Sequence, residues 1–397
     1  MSFLEKLLEG VEVEWKTLGE VTNVLRGRRL TRKLLSSEEK YPVFHGGLDP
    51  LGYYSKKNRD AHTVMIINVG ASAGTVGYSD VDFWSSDGCY CIEHNNKINN
   101  KFLYYYLIGE EFFLKSRVRK AGIPTLDAFV IEKLEIPIPC PNNPEKSLQI
   151  QQKIVDILDS FTELTAELTA ELTARKQQFK YYREQLLTFD ESEVEWKTLG
   201  EIGELVRGNG LPKSDFTESG VPAIHYGQIY TYYGTHTFDT KSFVSQATAE
   251  KLKKVNTGDV IITNTSENLE EVGKSVVYLG KETAVTGGHA TIFKPSNFIM
   301  GKFFAYYTQT FMFYKKKRKY AKGAKVTDVS AKDLAKIVLP VPSLEEQERI
   351  VSILDKFDTL TTSISEGLPK EIELRQKQYE YYRALLLDFN KLKMNNG

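Results

Sequence analysis

With 397 residues, 41% hydrophobic and 26% charged, the chain has the composition of a globular protein long enough for two or three domains, each with its own core. No apolar run approaches the roughly 18 residues of a membrane span, the opening "MSFLEKLLEG" lacks the pattern of a secretory leader, and Cys89, Cys91 and Cys140 are too few for a disulfide framework. These features imply a cytoplasmic protein. Net charge is zero, with 52 basic and 52 acidic residues, but segments 145–192 and 344–390 hold 6 against 9 and 6 against 10, leaving 40 basic residues against 33 acidic elsewhere. That surplus hints at an anionic partner.

In chain order, "EVEWKTLGE" at Glu12–Glu20 comes first and soon reaches Arg26-Gly27 and the basic run "RGRRLTRK". Short β-type runs such as "HTVMIINVG" follow, broken by Gly, Asn and Asp turn signals. "GCYCIEH" places Cys89 and Cys91 near His94, but without a second ligand pair it is a poor metal motif. An aromatic, helix-like "KFLYYYL" begins at Lys101, a second basic cluster "KSRVRK" at Lys115, and "IPIPCPNNP" closes the region, because proline lacks the amide donor and restricts the residue before it. Residues 12–143 read as a small α/β domain.

From there Ile154, Leu158, Phe161, Thr165, Leu168, Leu172, Phe179, Tyr182 and Leu186 recur at alternating steps of about three and four, the seam spacing of a coiled coil. The segment contains "ELTAELTAELTAR" from Glu163. Ala, Leu and Glu favour helix, and a four-residue step overshoots 3.6 by only about 40°, so Leu164, Leu168 and Leu172 stay near one face. One "ELTA" unit more or less would change the rod by about 6 Å and about 40°, as a tunable spacer requires.

The second half then repeats the first. "EVEWKTLGE" recurs letter for letter at Glu193–Glu201 and Arg-Gly at Arg207-Gly208; "KFFAYYT", "AKIVLPVP", "IVSILDKF" and "RQKQYEYYRALLLDF" answer "KFLYYYL", "LEIPIPCP", "IVDILDSF" and "RKQQFKYYREQLLTF". Between these anchors the copies scarcely resemble each other, the pattern of one scaffold carrying two different readers. Ser343 and Glu346 in "SLEEQ" predict a capping box, and Gly367 and Pro369 predict a break in the second helix.

Two basic domains on a rod suggest duplex DNA, with phosphate contacts for affinity and base edges for choice. Candidate phosphate residues are Arg26, Arg28, Arg29, Arg32 and Lys33; Lys115, Arg117, Arg119 and Lys120; Arg207; and Lys315, Lys316, Lys317, Arg318 and Lys319 in "KKKRK". Candidate base readers lie in "NVGASAGTVGYSD", "TNTSENLEEVG" and "HYGQIYTYYG": Ser72, His225, Gln228, Asn264 and Ser266. A catalytic site is not expected. Gly273-Lys274-Ser275 lacks the P-loop glycine five places earlier, where Asn268 stands, and no hydrolase, zinc or amino-methyltransferase motif is present.

Together, "EVEWKTLGE" opening each half, the Pro-rich exits before "IVDILDSF" and "IVSILDKF", the "ELTA" repeats and the paired tyrosine-rich helix ends resemble the DNA-specificity subunit of type I restriction-modification systems over nearly the whole chain. The resemblance implies an α+β fold: two α/β target-recognition domains in pseudo-twofold repeat, separated by long antiparallel coiled-coil helices. Recognition domains would occupy 1–143 and 193–342, and spacer helices 144–192 and 343–397. Each domain would read half of a split double-stranded DNA target, while the outward faces of 154–189 and 350–389 dock two modification subunits. This chain would hold no cofactor; S-adenosylmethionine, ATP and Mg would sit on partner subunits, the modification subunits methylating adenine and the restriction subunits adding ATP-driven translocation and cleavage. "FLEKLLEG" looks like the end of a family helix, suggesting a pseudo-circular arrangement. The competing reading is a non-catalytic coiled-coil assembly scaffold that reads no DNA.

Overall fold

The structure, a computed structural model, describes residues 11–94, 97–323 and 325–389 and divides into two compact units, 1–167 with 373–397, and 168–372. "FLEKLLEG" lies outside the described residues.

In unit one, Val13–Thr17 pairs antiparallel with Glu135–Pro139, joining the start of the mixed α/β region to its exit. Thr17 and Glu20 form a reciprocal capping box on the single turn Leu18–Val21, which aims the chain into the next strand. A four-stranded antiparallel sheet follows, in the order Thr22–Arg26, Cys89–His94, Thr63–Ile67, Val76–Ser79. The strand Thr63–Ile67 is apolar without alternation because both its faces are covered. Val64 and Ile66 enter the core beneath helix Asn100–Gly109, while Met65 and Ile67 enter a second core with Phe44 and Phe83. Each such burial contributes about 1.5–3 kcal/mol.

Unit two opens and closes in the same way, with Glu195–Thr198 against Val338–Val341 and a Thr198–Glu201 box. Its central sheet has the order Gly203–Arg207, Ala290–Pro295, Val260–Thr263, Ser275–Tyr278, His236–Thr237. The first four strands correspond one for one to those of unit one. Val260 and Ile262 again face the helix-side core, and Ile261 the other. Here the second layer is a five-stranded sheet from Phe216–Thr217 to Lys253–Val255, where unit one has three short strands.

Helix Pro144–Leu186 runs 43 residues without interruption. Pro144, which has no amide to leave unbonded, begins it, and the Asn143 side chain accepts from Lys146 N at 3.0 Å. Leu164, Leu168 and Leu172 are half-buried between exposed Glu163, Glu167 and Glu171, as the one-face reading requires. The matching C-terminal segment is two helices, Leu344–Thr362 and Leu368–Leu387. Gly367 sets the break: its φ is +88°, and a Cβ there would fall 2.5 Å from Thr359 O. Ser343 caps Glu346 N at 3.3 Å, but the Glu346 carboxylate turns to Arg349 instead of back to the cap, so the expected box is half-formed. Phe161 stacks on Tyr382 within unit one and Phe179 on Phe357 within unit two, so higher positions on one helix meet lower positions on its partner. Among the described residues no helix is long and apolar enough to cross a membrane.

The aromatic helix of each unit is locked to the helix that follows the Pro-rich exit by the same contacts. Asp159 accepts from Lys101 at 2.8 Å and Tyr105 at 2.6 Å; Asp355 accepts from Lys302 and Tyr306, each at 2.7 Å. Desolvation and the adjoining carboxylate push both phenols far above their ordinary range, so they stay donors. Beneath them the fully buried Gln151 and Gln347 each bridge the backbone just before that helix, through Asn99 N and Lys97 O, or Met300 N and Phe298 O.

Candidate nucleic-acid interface

The repeated Arg-Gly pair ends the first strand of each central sheet. A Cβ on Gly27 would lie 2.0 Å from Ser86 O, and one on Gly208 1.9 Å from Gly287 O, so only glycine lets the chain turn here. The turn releases the basic loop of unit one. Arg26, Arg28, Arg29, Arg32 and Lys33 are all exposed, and none forms an ion pair among the described residues. Among the described residues their side chains make one hydrogen bond, 3.5 Å from Arg26 Nε to Asp87 O. Arg207 is the exposed counterpart in unit two.

The other two basic clusters are partly occupied. Lys115 pairs with Glu111, Arg119 with Asp127 at 2.9 Å, and Arg117 lies over Phe113, while Lys120 stands exposed. In "KKKRK", Lys315 lies over Phe311, and Arg318 and Lys319 are exposed. Lys316 instead donates to Val338 O at 2.7 Å and covers the Trp196 ring. Lys317 is 3% exposed and donates to Glu270 O and Val272 O at 2.7 and 2.5 Å; burial lowers its pKa to about 8. The run sits on helix Phe311–Arg318, whose buried Phe313 turns Lys317, four residues on, inward with it. As a phosphate contact Lys317 is therefore withdrawn: it staples the Glu270–Val272 loop.

The base-reader candidates fare similarly. Gln228 accepts from His225 N at 3.2 Å and donates to Ser242 Oγ at 2.6 Å, and His225 Nδ1 accepts from Gly227 N at 3.1 Å. Asn264 donates to Val329 O at 2.7 Å and accepts from Thr291 Oγ1 at 3.0 Å, fully buried. Ser266, 9% exposed, accepts from Asn268 N. These four satisfy backbone and side-chain groups left over where strands become loops, the habitual work of short polar side chains. Ser72 is half-buried in a turn, its carbonyl accepting from Thr75 N at 3.0 Å.

The structure gathers residues that sequence reasoning did not single out. A cleft of about 520 Å³ in unit one is lined by Arg26, Arg29 and Arg32 together with His45, Asn68 and Asp87. His45 Nδ1 lies 3.4 Å from Asp87 Oδ1, and Asn68, 2% exposed, has a buried Oδ1 with no hydrogen-bond partner. In unit two, Tyr226 sits between His225 and exposed His289, with ring centres 4.6 and 5.1 Å apart. Asn68 was findable: it follows "HTVMII" as Asn264 follows "GDVIIT".

A profile of the type I restriction modification DNA specificity domain matches residues 10–175 and again 191–374. The chain is 38% identical to the type I restriction enzyme EcoR124I/EcoR124II specificity subunit of Escherichia coli over 98% of both proteins. It is 31% identical to the EcoprrI specificity subunit of the same species over 92% of both. In fold it is similar to the crystal structure of a type I restriction-modification system S subunit from M. genitalium, with a TM-score of 0.60 at 21% identity, covering 98% of this chain and 99% of that one. Two copies of the domain, one in each half, with relatives matched end to end, make the chain a member of the type I restriction-modification DNA specificity family.

Proposed function

We propose that this chain reads a bipartite duplex DNA target, one half-site per unit, without catalysing a reaction itself. The observation that carries the reading is the division between frame and filling. Opening and closing strands, glycine turns, the Gln and Asp locks and four core strands recur at corresponding places in both units, while second layers and loops differ. A shared frame presents two surfaces to a repeating ligand in the same way, and different loops let each surface choose different bases. The exposed, unpaired cations of 26–33 supply sequence-independent phosphate attraction.

The helices serve as spacer and as docking surface for two modification subunits. Duplicated helix ends, with Tyr181 and Tyr381 exposed at matching places, suit two copies of one partner. Those partners hold S-adenosylmethionine and methylate adenine; restriction subunits with ATP and Mg complete the assembly. Methylome sequencing of cells expressing the chain with its modification subunit tests this: a split motif with an unread gap is expected, whereas no modified motif from a soluble, associated pair returns the scaffold reading. Deleting Glu167–Ala170 removes one "ELTA" unit, shortening the helix by about 6 Å, and should change the gap while leaving both half-sites intact. Altered half-sites at constant gap would refute the spacer role.

A further inference from the structure

We propose that Asn68 is a specificity-determining residue of unit one, reading an adenine whose edge enters the cleft that Arg26, Arg29 and Arg32 flank. The inference rests on the DNA-reading function above and names the residue that makes one of its choices.

Asn68 and Asn264 hold the same position: each follows the central strand, each backbone amide donates to the turn leading into the neighbouring strand, Gly88 O or His289 O, and each backbone carbonyl accepts from a later segment, Leu126 N or Val329 N. Their side chains differ. Asn264 Oδ1 is satisfied by Thr291, which sits opposite Ile262; opposite Ile66 stands Tyr90, and Asn68 Oδ1 is left without a partner. A buried carbonyl oxygen without a donor is costly, and the fold shows in its other half how one threonine would remove the cost. Asn68 lines the cleft, so the donor that its buried oxygen lacks can come from a group that enters there.

The surroundings define that donor. The arginines carry donors only and suit phosphate oxygens, so the ligand must combine an anionic backbone with a hydrogen-bond donor on a group slim enough to enter the cleft. Asp87, held near His45, keeps the cleft from accepting an anion deep inside, so the phosphate stays at the rim and the base edge enters. Of the bases, adenine and cytosine present an amino group in the major groove, and a carboxamide pairs two-pronged with adenine through N6 and N7.

The test is selection from randomised duplex DNA by the full chain assembled with its modification subunits. Wild type is expected to select a split motif. Asn68→Leu, similar in shape, should lose preference for adenine at one position of one half-site by about 10- to 100-fold, with the other half-site and the gap unchanged. Asn68→Asp keeps an acceptor but loses the donor to N7, and should move that position towards cytosine; it serves as the independent reading should Asn68→Leu fail to fold in a melting experiment. A wild-type split motif preserved in both variants, with a raised melting temperature for Asn68→Leu, would overturn the assignment alone and mark Asn68 as a merely unsatisfied amide. No motif from wild type would overturn DNA reading and this inference together.

Discussion

In unit two the amide of Asn264 is closed on both sides, by Val329 O and by Thr291; in unit one the amide at the same fold position borders a basic cleft with its oxygen open. The contrast extends outward. Unit two covers its second core with a five-stranded sheet and two short helices, Tyr226–Thr231 and Gln246–Lys251, whereas unit one leaves a loop of five unpaired cations beside three short strands. The frame beneath does not differ: Gln151 and Gln347, Asp159 and Asp355, and Gly27 and Gly208 make equivalent contacts. On the proposed reading, the shared frame serves stability and the differing loops serve recognition.

The largest effect should come from the shared frame. Gln151→Leu and Gln347→Leu each strand at least one buried amide and one carbonyl, costing about 3 kcal/mol or more, and to a similar extent in both units. Hydrogen exchange resolved by unit would detect it; loss in one unit only would show that the frames are not equivalent. Next, Lys317→Met should destabilise unit two by about 1.5–3 kcal/mol by leaving Glu270 O and Val272 O without their charged donor, with DNA retention at 25 °C unchanged. Weaker DNA retention at full stability would return Lys317 to the phosphate set. Thr291→Val recreates in unit two the open oxygen of unit one and should cost about 1–3 kcal/mol in unit two by denaturant titration. A neutral result would weaken the contrast between the two asparagines. The smallest change in stability is expected for Arg28→Ala, within about 0.5 kcal/mol, while the slope of log affinity against log salt falls by about 0.9 if Arg28 meets one phosphate. An unchanged slope would place the 26–33 loop away from DNA.

Features carried by neighbouring residues are legible in the amino-acid sequence. The letter-for-letter repeats set out the two-fold plan, the three-four spacing and Pro144 mark the long helix, and Gly367 with Pro369 marks the break in its partner. The site is less legible. Gln228 and Asn264 resemble base readers because they are short and polar and sit in loops, and loops also need such side chains to satisfy their own backbone. Lys317 resembles its four basic neighbours, and only the burial of Phe313 one turn before it shows which way it points.

By itself the sequence determined the duplicated frame and the rod, because helix periodicity, proline stops and glycine turns act over a few residues. Which polar groups remain open was decided by tertiary structure alone. Asn264 is closed by Thr291 and Val329, 27 and 65 residues away, while the register that sets Tyr90 beside Ile66 leaves Asn68 open. Satisfaction of a buried polar group depends on strand register and on segments distant in the chain, and no local pattern encodes it.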